Sequence, residues 1–412
     1  MKRVFLFFLS IFILLAFSGC DSMKSPADYA NLPEDSYQFG TDFPASFAGG
    51  MGIAKIAPTE DGYYFFAGGY LYFYDKETKV SVLACHRPEC RHWDPYCAAY
   101  YPRSKHSLLQ YYEGKLYAVI NEEFYTSYDR RYHACLYEIN PTDGAREKLC
   151  QLPYEADSLP QYMIHRGYLY MIYFDYSKAN FTVERVAMNE LKEKSLTPEL
   201  IFRAVSMGFS QQPLLYGDHC FIGYVLPGSG SQISMKLFDI NLETLEQTEI
   251  VFPDAEPGSL TMVEYPAKDG FLLAYASPEL VRNEAFDRAY YTYHPETGEI
   301  EPLIELKDRG EGMTEYLSWD GKYWILSYLD LITNPSDFFR TNQEIRFYDE
   351  NWNLVKSVPV DFCVQGYVVG DEDYMFLGET LDSFELYSLD KRGESFSVEL
   401  IQKLRLQDIF LY

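Results

Sequence analysis

Four side chains with metal-ligand chemistry fall within one short stretch, "CHRPECRHWDPYC" at residues 85–97: Cys85, Cys90, His92 and Cys97. The whole chain has eight cysteines and seven histidines, so this is a strong local concentration. Three thiolates and one imidazole complete a tetrahedral zinc shell, and C-x4-C-x-H-x4-C spacing lets one loop wrap a single ion. Four protein ligands close such a shell. Its role is then structural: one zinc ordering a loop with little core of its own. Arg87 and Arg91 stand beside the set and offset the surplus negative charge of three thiolates. A second chemistry is a disulfide, with Cys90 and Cys97 enclosing a short loop. A third, a nucleophilic cysteine, has His86 and His92 nearby but no orienting carboxylate or oxyanion-hole pattern.

The start of the chain bears on this choice. "MKRVFLFFLSIFILLAFSGC" has a basic pair, an apolar run from Val4 to Phe17 broken by Ser10, then small residues before Cys20. We read residues 1–19 as a lipoprotein signal peptide and Cys20 as the lipid-attachment site, on a lipobox "FSGC" with Phe17 where an aliphatic residue is usual. The alternative is an ordinary secretory signal. The expected location is the outer face of the bacterial cell membrane, with the lipid anchor as the only membrane contact. Residues 20–49 are polar and rich in Pro, Ser, Asp and Gly, and predict a flexible tether. With Cys20 lipidated, seven cysteines remain, an odd number that leaves at least one as a free thiol or a ligand. Cys135 and Cys150 fall on neighbouring predicted strands and are candidates for a pair of their own. Cys220 and Cys363 lie in apolar strand contexts, as buried free thiols often do.

Charge excludes one class of partner. Lys plus Arg total 35 against 61 Asp plus Glu, a formal net charge of -26, so no nucleic acid is expected to bind. Aromatics make up 17% of residues, with 38 Tyr against 4 Trp, and tyrosine suits half-buried strands whose hydroxyls stay wet.

These residues are positioned by a repeat. A turn of Gly or Asp followed by an aromatic strand recurs at Gly62, Gly114, Gly167, Gly217, Gly270, Gly321 and near Asp371, at intervals of 50–53 residues. Each unit also holds a polar hairpin turn, such as "YDKET" (74–78), "INLET" (240–244) or "LDKRG" (389–393). Each unit reads as four strands, and no segment has a long 3.6-residue apolar stripe. The expectation is an all-β fold: a seven-bladed β-propeller of four-stranded antiparallel blades over residues 50–404. Residues 405–412 would form a C-terminal tail packed on it. Strands run in sequence order within a blade, so ring closure needs no strand exchange. The cysteine–histidine loop would cross from rim to hub, beside the face where loops between second and third strands open.

The lipobox, the Tyr-rich blades and the first-blade ending "LACHRPECRHWDPYC" resemble a group of β-propeller lipoproteins from Gram-positive anaerobic bacteria. The resemblance covers nearly the whole chain and implies a surface-anchored propeller. It supplies no catalytic residues.

No GxSxG elbow, HExxH helix, P-loop, EF-hand loop or Rossmann fingerprint is present in the sequence. The expected function is therefore a binding module for an extracellular glycan, peptide or partner protein. Loops between second and third strands offer Tyr125, Tyr128, Arg130 and Arg131, then Arg282 and Phe286, then Phe338, Phe339 and Arg340. Aromatics there can stack on sugar or apolar faces, and arginines can pair with carboxylate or phosphate. The alternatives are an enzyme acting on glycans through paired carboxylates at the channel mouth and a structural scaffold in an envelope complex. Apart from the zinc, no cofactor is expected.

Overall fold

The structure is a computed structural model. It describes residues 23–405 apart from residues 35, 45–55, 93–96, 102–107, 126–129, 156–159, 176–177, 193–195, 207, 210–212, 227–233, 253–258, 268–269, 277–288, 305–312, 330–342, 361–367 and 380–382. The signal segment, Cys20, Cys363 and residues 406–412 of the expected tail lie outside these.

The repeat becomes seven antiparallel sheets arranged as a β-propeller. Blade 1 comprises Ile56–Pro58, Gly62–Ala67, Tyr70–Asp75 and Ser81–Leu83. Blade 2 comprises Leu109–Tyr112, Lys115–Tyr125, Arg130–Ile139 and Arg146–Glu155. Blade 3 comprises Gln161–His165, Tyr168–Asp175, Asn180–Ala187 and Glu199–Val205. In blade 4 the first position is split into Gly208–Phe209 and Leu214–Tyr216, followed by His219–Leu226, Ser234–Asn241 and Gln247–Glu249. Blade 5 comprises Leu260–Ala267, Gly270–Ala276, Ala289–His294 and Glu299–Ile304. Blade 6 comprises Met313–Trp319, Trp324–Leu329, Gln343–Tyr348 and Leu354–Val360. Blade 7 comprises Val368–Gly370, Tyr374–Glu379, Ser383–Asp390 and Ser397–Arg405. Strands pair in sequence order within every blade. First strands of neighbouring blades lie beside one another, which puts them at the hub and the fourth strands at the rim.

The apolar runs of the second strands follow from this geometry. Side chains alternate across a strand, and each blade is sandwiched between two others, so both faces are buried. In Gly62–Ala67, Tyr63, Phe65 and Ala67 enter the seam with blade 7, while Tyr64 and Phe66 enter the seam with blade 2. In Tyr168–Asp175, Leu169 and Met171 face blade 2, while Tyr170, Ile172 and Phe174 face blade 4. The core is thus a set of interblade seams. Hairpin turns close by side-chain capping of their own backbone. Asn241 Oδ1 accepts the N–H groups of Glu243 and Thr244 at 3.0 and 2.7 Å, and Asp349 Oδ1 accepts those of Asn351 and Asn353.

Among the described residues, the ring closes through side chains, and blades 1 and 7 exchange no strand. Tyr63 donates its hydroxyl to Asp371 at 2.6 Å, Tyr374 donates to the Lys76 carbonyl at 3.1 Å, and Lys79 pairs with Asp390 at 2.8 Å. Tyr63 also meets Phe376 edge-on at 4.8 Å.

Part of the stretch expected to be a tether behaves differently. Residues 23–44, apart from 35, lie as a strap against blades 2–4. Tyr29 and Phe43 are buried in the seams of blades 2 and 3 and of blades 3 and 4. The turns joining first to second strands in three successive blades donate backbone N–H groups to strap carbonyls: Glu113 to Gly40, Arg166 to Thr41, and Asp218 to Glu34. The Arg166 guanidinium pairs with Asp42 and Asp218, each at 2.9 Å, and also donates to the carbonyls of Pro33 and Ser36. Asp42 is wholly buried. Two aromatics and one buried ion pair turn a polar stretch into a docked one, a combination that composition does not reveal.

Candidate metal centre

The cysteine–histidine loop is an excursion from the outer strand of blade 1. Leu83 pairs with Tyr72, and the next N–H, of Ala84, donates to the Leu71 carbonyl at 2.9 Å. The Leu71 N–H donates to Ala99 at 2.8 Å, Tyr70 bridges to Tyr100, and the Tyr101 N–H donates to Gly69 at 2.7 Å. Residues 99–101 therefore resume the outer edge that residues 81–84 began. Both ends of the excursion are tied to Leu71, so its thirteen-residue ligand stretch starts and finishes at one point.

Within it, one ligand atom from each of Cys85, Cys90, His92 and Cys97 lies within 4.8 Å of all the others. Zn–S bonds of about 2.3 Å imply sulfur separations near 3.8 Å in a tetrahedron, so inward shifts of about 1 Å complete the shell. His92 has φ +59, in the left-handed region where His is over-represented, and its Nδ1 is 3.6 Å from Cys97 Sγ. Cys97 is buried and the other three ligands are half-buried. The donor set, three sulfurs and one imidazole, fits zinc.

The thiols differ in acidity. Burial pushes Cys97 up to about 12, against the lowering effect of the Ala99 N–H. At Cys85 burial also acts upward, but the Arg87 N–H, the Cys90 and Cys97 thiols and the Ala98 N–H outweigh it and leave the group below the ordinary thiol range. Cys85 thus ionises before Cys97, and an incoming cation has to displace the Cys97 proton. Arg87 and Arg91 are exposed, so their offsetting charge acts through solvent.

The location departs from the sequence expectation. Before any crossing to the hub, the chain stays at the rim and packs toward blade 2's turn between third and fourth strands. A Cβ placed on Gly144 would lie 3.3 Å from Ala98 Cβ and 3.6 Å from His86 Cδ2. Arg146 donates to the Tyr100 carbonyl at 3.0 Å and lies over the Tyr101 ring. The excursion also lies beside blade 1's own turn between second and third strands, at Gly68 and Gly69, since the Tyr101 N–H is bonded to Gly69. The outer strand resumes after the loop, and that resumption holds the cluster at the edge. A cleft of about 620 Å³ opens beside it, lined by His86 together with Tyr64, Phe73, Glu77, Leu83 and Arg392.

The disulfide readings do not hold for the described cysteines. Cys85, Cys90, Cys97, Cys135, Cys150 and Cys220 are all free. Cys150 is paired in register with Leu136, and Cys135 with Gln151, so Cys135 and Cys150 point to opposite faces. Cys220 is fully buried, and burial pushes its thiol well above the ordinary range.

Of the expected ligand contacts, the backbone places three. Tyr125 pairs with Arg130, and Phe124 with Arg131, at the tip of blade 2's long hairpin. Tyr128, Arg282, Phe286, Phe338, Phe339 and Arg340 lie outside the described residues. Sequence reasoning missed the strap's anchors, Asp42, His165, Arg166 and Asp218. The only signal was an arginine preceding the repeat glycine at 167, where four other units have Asp or Glu.

No protein-family model matches the chain, and no curated protein matches it by sequence. Among solved structures it is similar to apo prolyl oligopeptidase B from Galerina marginata, at 10% identity and TM-score 0.51, over 87% of this chain and 52% of that one. It is also similar to dipeptidyl peptidase 4 from Porphyromonas gingivalis, at 10% identity and TM-score 0.46, over 87% and 54%. A third is the β-propeller domain of the Trilobed protease from Pyrococcus furiosus, described as having an open velcro topology, at 12% identity and TM-score 0.45, over 71% and 82%. At such identities the likeness shows the propeller fold. The chain spans about half the length of the first two proteins.

Proposed function

We propose that this chain is a lipid-anchored propeller at the outer face of the bacterial cell membrane that binds an extracellular glycan, peptide or partner protein. We further propose that Cys85, Cys90, His92 and Cys97 hold one structural zinc. The convergence of four ligand atoms on an excursion tied at both ends carries this reading. A loop of this length with almost no core needs a clamp to keep one shape. His86 lies in the same loop and lines the adjacent cleft, so the clamp fixes one wall of a surface that a ligand can occupy. The zinc acts through shape and does not touch the ligand. Tyr125, Arg130 and Arg131 sit near the tip of blade 2's long hairpin and offer a second contact region.

Metal analysis of protein purified without chelator should find about one zinc per chain. Cys90→Ser should lose that zinc together with the loop's resistance to protease, while the blades keep their β circular dichroism. Mass mapping that finds Cys90 bonded to Cys97, with no bound metal, would reject the zinc centre. Glycan and peptide arrays probed with the zinc-loaded protein test the binding role, and turnover of an arrayed glycan would favour the enzyme reading instead.

A further inference from the structure

We infer that the strap fixes how the propeller sits on the membrane: the face carrying the turns between first and second strands points at the bilayer, and the loops between second and third strands point away. This rests on the proposed lipid anchor at Cys20. Only Asp21 and Ser22 separate Cys20 from Met23, the first described residue of the docked strap. Met23 packs on the seam between blades 2 and 3, and Lys24 pairs with Glu113 at 2.8 Å. Ser25 donates its N–H to Asp28 at 2.7 Å, opening a short 3-10 turn whose Tyr29 hydroxyl accepts from Tyr112 at 2.5 Å.

Reach decides the consequence. A free stretch of residues 20–49 would extend up to about 100 Å and let the propeller tumble in any orientation. Three residues span at most about 10 Å. The lipid-bearing end is therefore held against the side of the molecule where the strap lies. That side is defined by Glu113, Arg166 and Asp218, one turn from each of three neighbouring blades, all given to the strap. Gly167 packs closely under the strap. Its φ is +82, and a Cβ there would lie 2.9 Å from Pro26 Cα and from the Tyr29 ring.

The test uses the full lipidated protein in vesicles whose lipid headgroups carry a short-range quencher. One fluorescent residue is placed at Glu243, in blade 4's turn between third and fourth strands, or at Leu226, the last residue of its second strand. A strand of eight residues such as His219–Leu226 rises about 27 Å, so the two labels differ greatly in depth, and quenching at Glu243 should exceed that at Leu226 about threefold or more. Inserting a Gly/Ser linker of about 40 residues between Ser22 and Met23 leaves the fold untouched and should abolish the difference while the protein stays bound. Equal quenching in the unmodified lipidated protein, or stronger quenching at Leu226, overturns the orientation and leaves the anchor intact. Absence of lipid on Cys20 by mass spectrometry, with no vesicle binding, overturns the anchor and the orientation with it.

Discussion

At the scale of single residues, the strongest commitments lie in the strap. Arg166 joins two carboxylates and two carbonyls, and Asp42 beneath it is wholly shielded from water. Arg166→Met keeps the stem's volume but strands the Asp42 charge, and removing one partner of a buried pair costs about 3–5 kcal/mol. Urea denaturation should show that loss; a change below about 1 kcal/mol would mean that water reaches Asp42. His165, next to it, gives the strap a pH dependence. Its Nδ1 accepts the Phe43 N–H at 2.9 Å and its Nε2–H donates to the Gly217 carbonyl at 2.7 Å, which requires the neutral ring. Burial pushes its pKa down; Asp42 and Asp218 oppose this and Arg166 assists it. A depressed value means the unfolded ring takes up a proton first. Stability is therefore complete above about pH 6.5 and declines as pH falls below it. Hydrogen exchange over residues 24–43 should accelerate in that window, and His165→Gln should remove the step. The cysteine cluster was legible because its ligands share one loop. Asp42 and Arg166 are 124 residues apart, a separation at which no spacing rule operates.

At the scale of elements, the repeat glycine was visible before its reasons were. In some units it is a turn residue: Gly114, Gly167 and Gly321 have φ of +77, +82 and +97. Gly62 is different. A Cβ there would lie 2.2 Å from the Tyr74 carbonyl, and at Gly270 the corresponding approach is 2.4 Å to the Tyr293 carbonyl, so the second strand can start beside the third only without a side chain. Gly62→Ala should lower stability by about 1–3 kcal/mol as the hairpin is pushed apart, read as a fall in Tm; an unchanged Tm would show that the two strands separate at no cost. The number of blades and the strand order were legible for a related reason. Every second strand is buried on both sides, which leaves an apolar run that a solvent-facing sheet would not have. The excursion in blade 1 was not legible as a rim feature. Only the backbone bonds of Leu71 to both Ala84 and Ala99 reveal that the outer strand resumes after the loop.

At the scale of the whole molecule, the ring has one seam unlike the rest. Six seams join blades that are consecutive in sequence. The seventh joins blade 7 to blade 1, and among the described residues no strand is exchanged there and side chains hold it. Strand order in the sequence made exchange unnecessary, but it did not reveal which contacts close the ring, because those pairs are some 300 residues apart. Two carboxylates lie at this seam, Asp371 under the Tyr63 hydroxyl and Asp390 beside Lys79 and Arg392. At Asp390 burial acts upward, but the hydrogen bonds from Arg392 and Lys79 prevail and hold the carboxyl well below the usual range. Its contribution is therefore present in full above the unfolded value of about 4 and is lost as pH falls toward the folded one. That window lies below the one set by His165, so acid should act in two stages. The strap on blades 2–4 loosens first, and the closing seam follows. Hydrogen exchange measured down to about pH 3 should show Gly62–Ala67 and Tyr374–Glu379 losing protection before the second strands of blades 3 and 4. Asp390→Asn should weaken the seam already at neutral pH and flatten its acid response. Uniform loss of protection around the ring would mean that the closing seam is no weaker than the covalently continuous ones, and that Lys79 and Asp390 add nothing to closure.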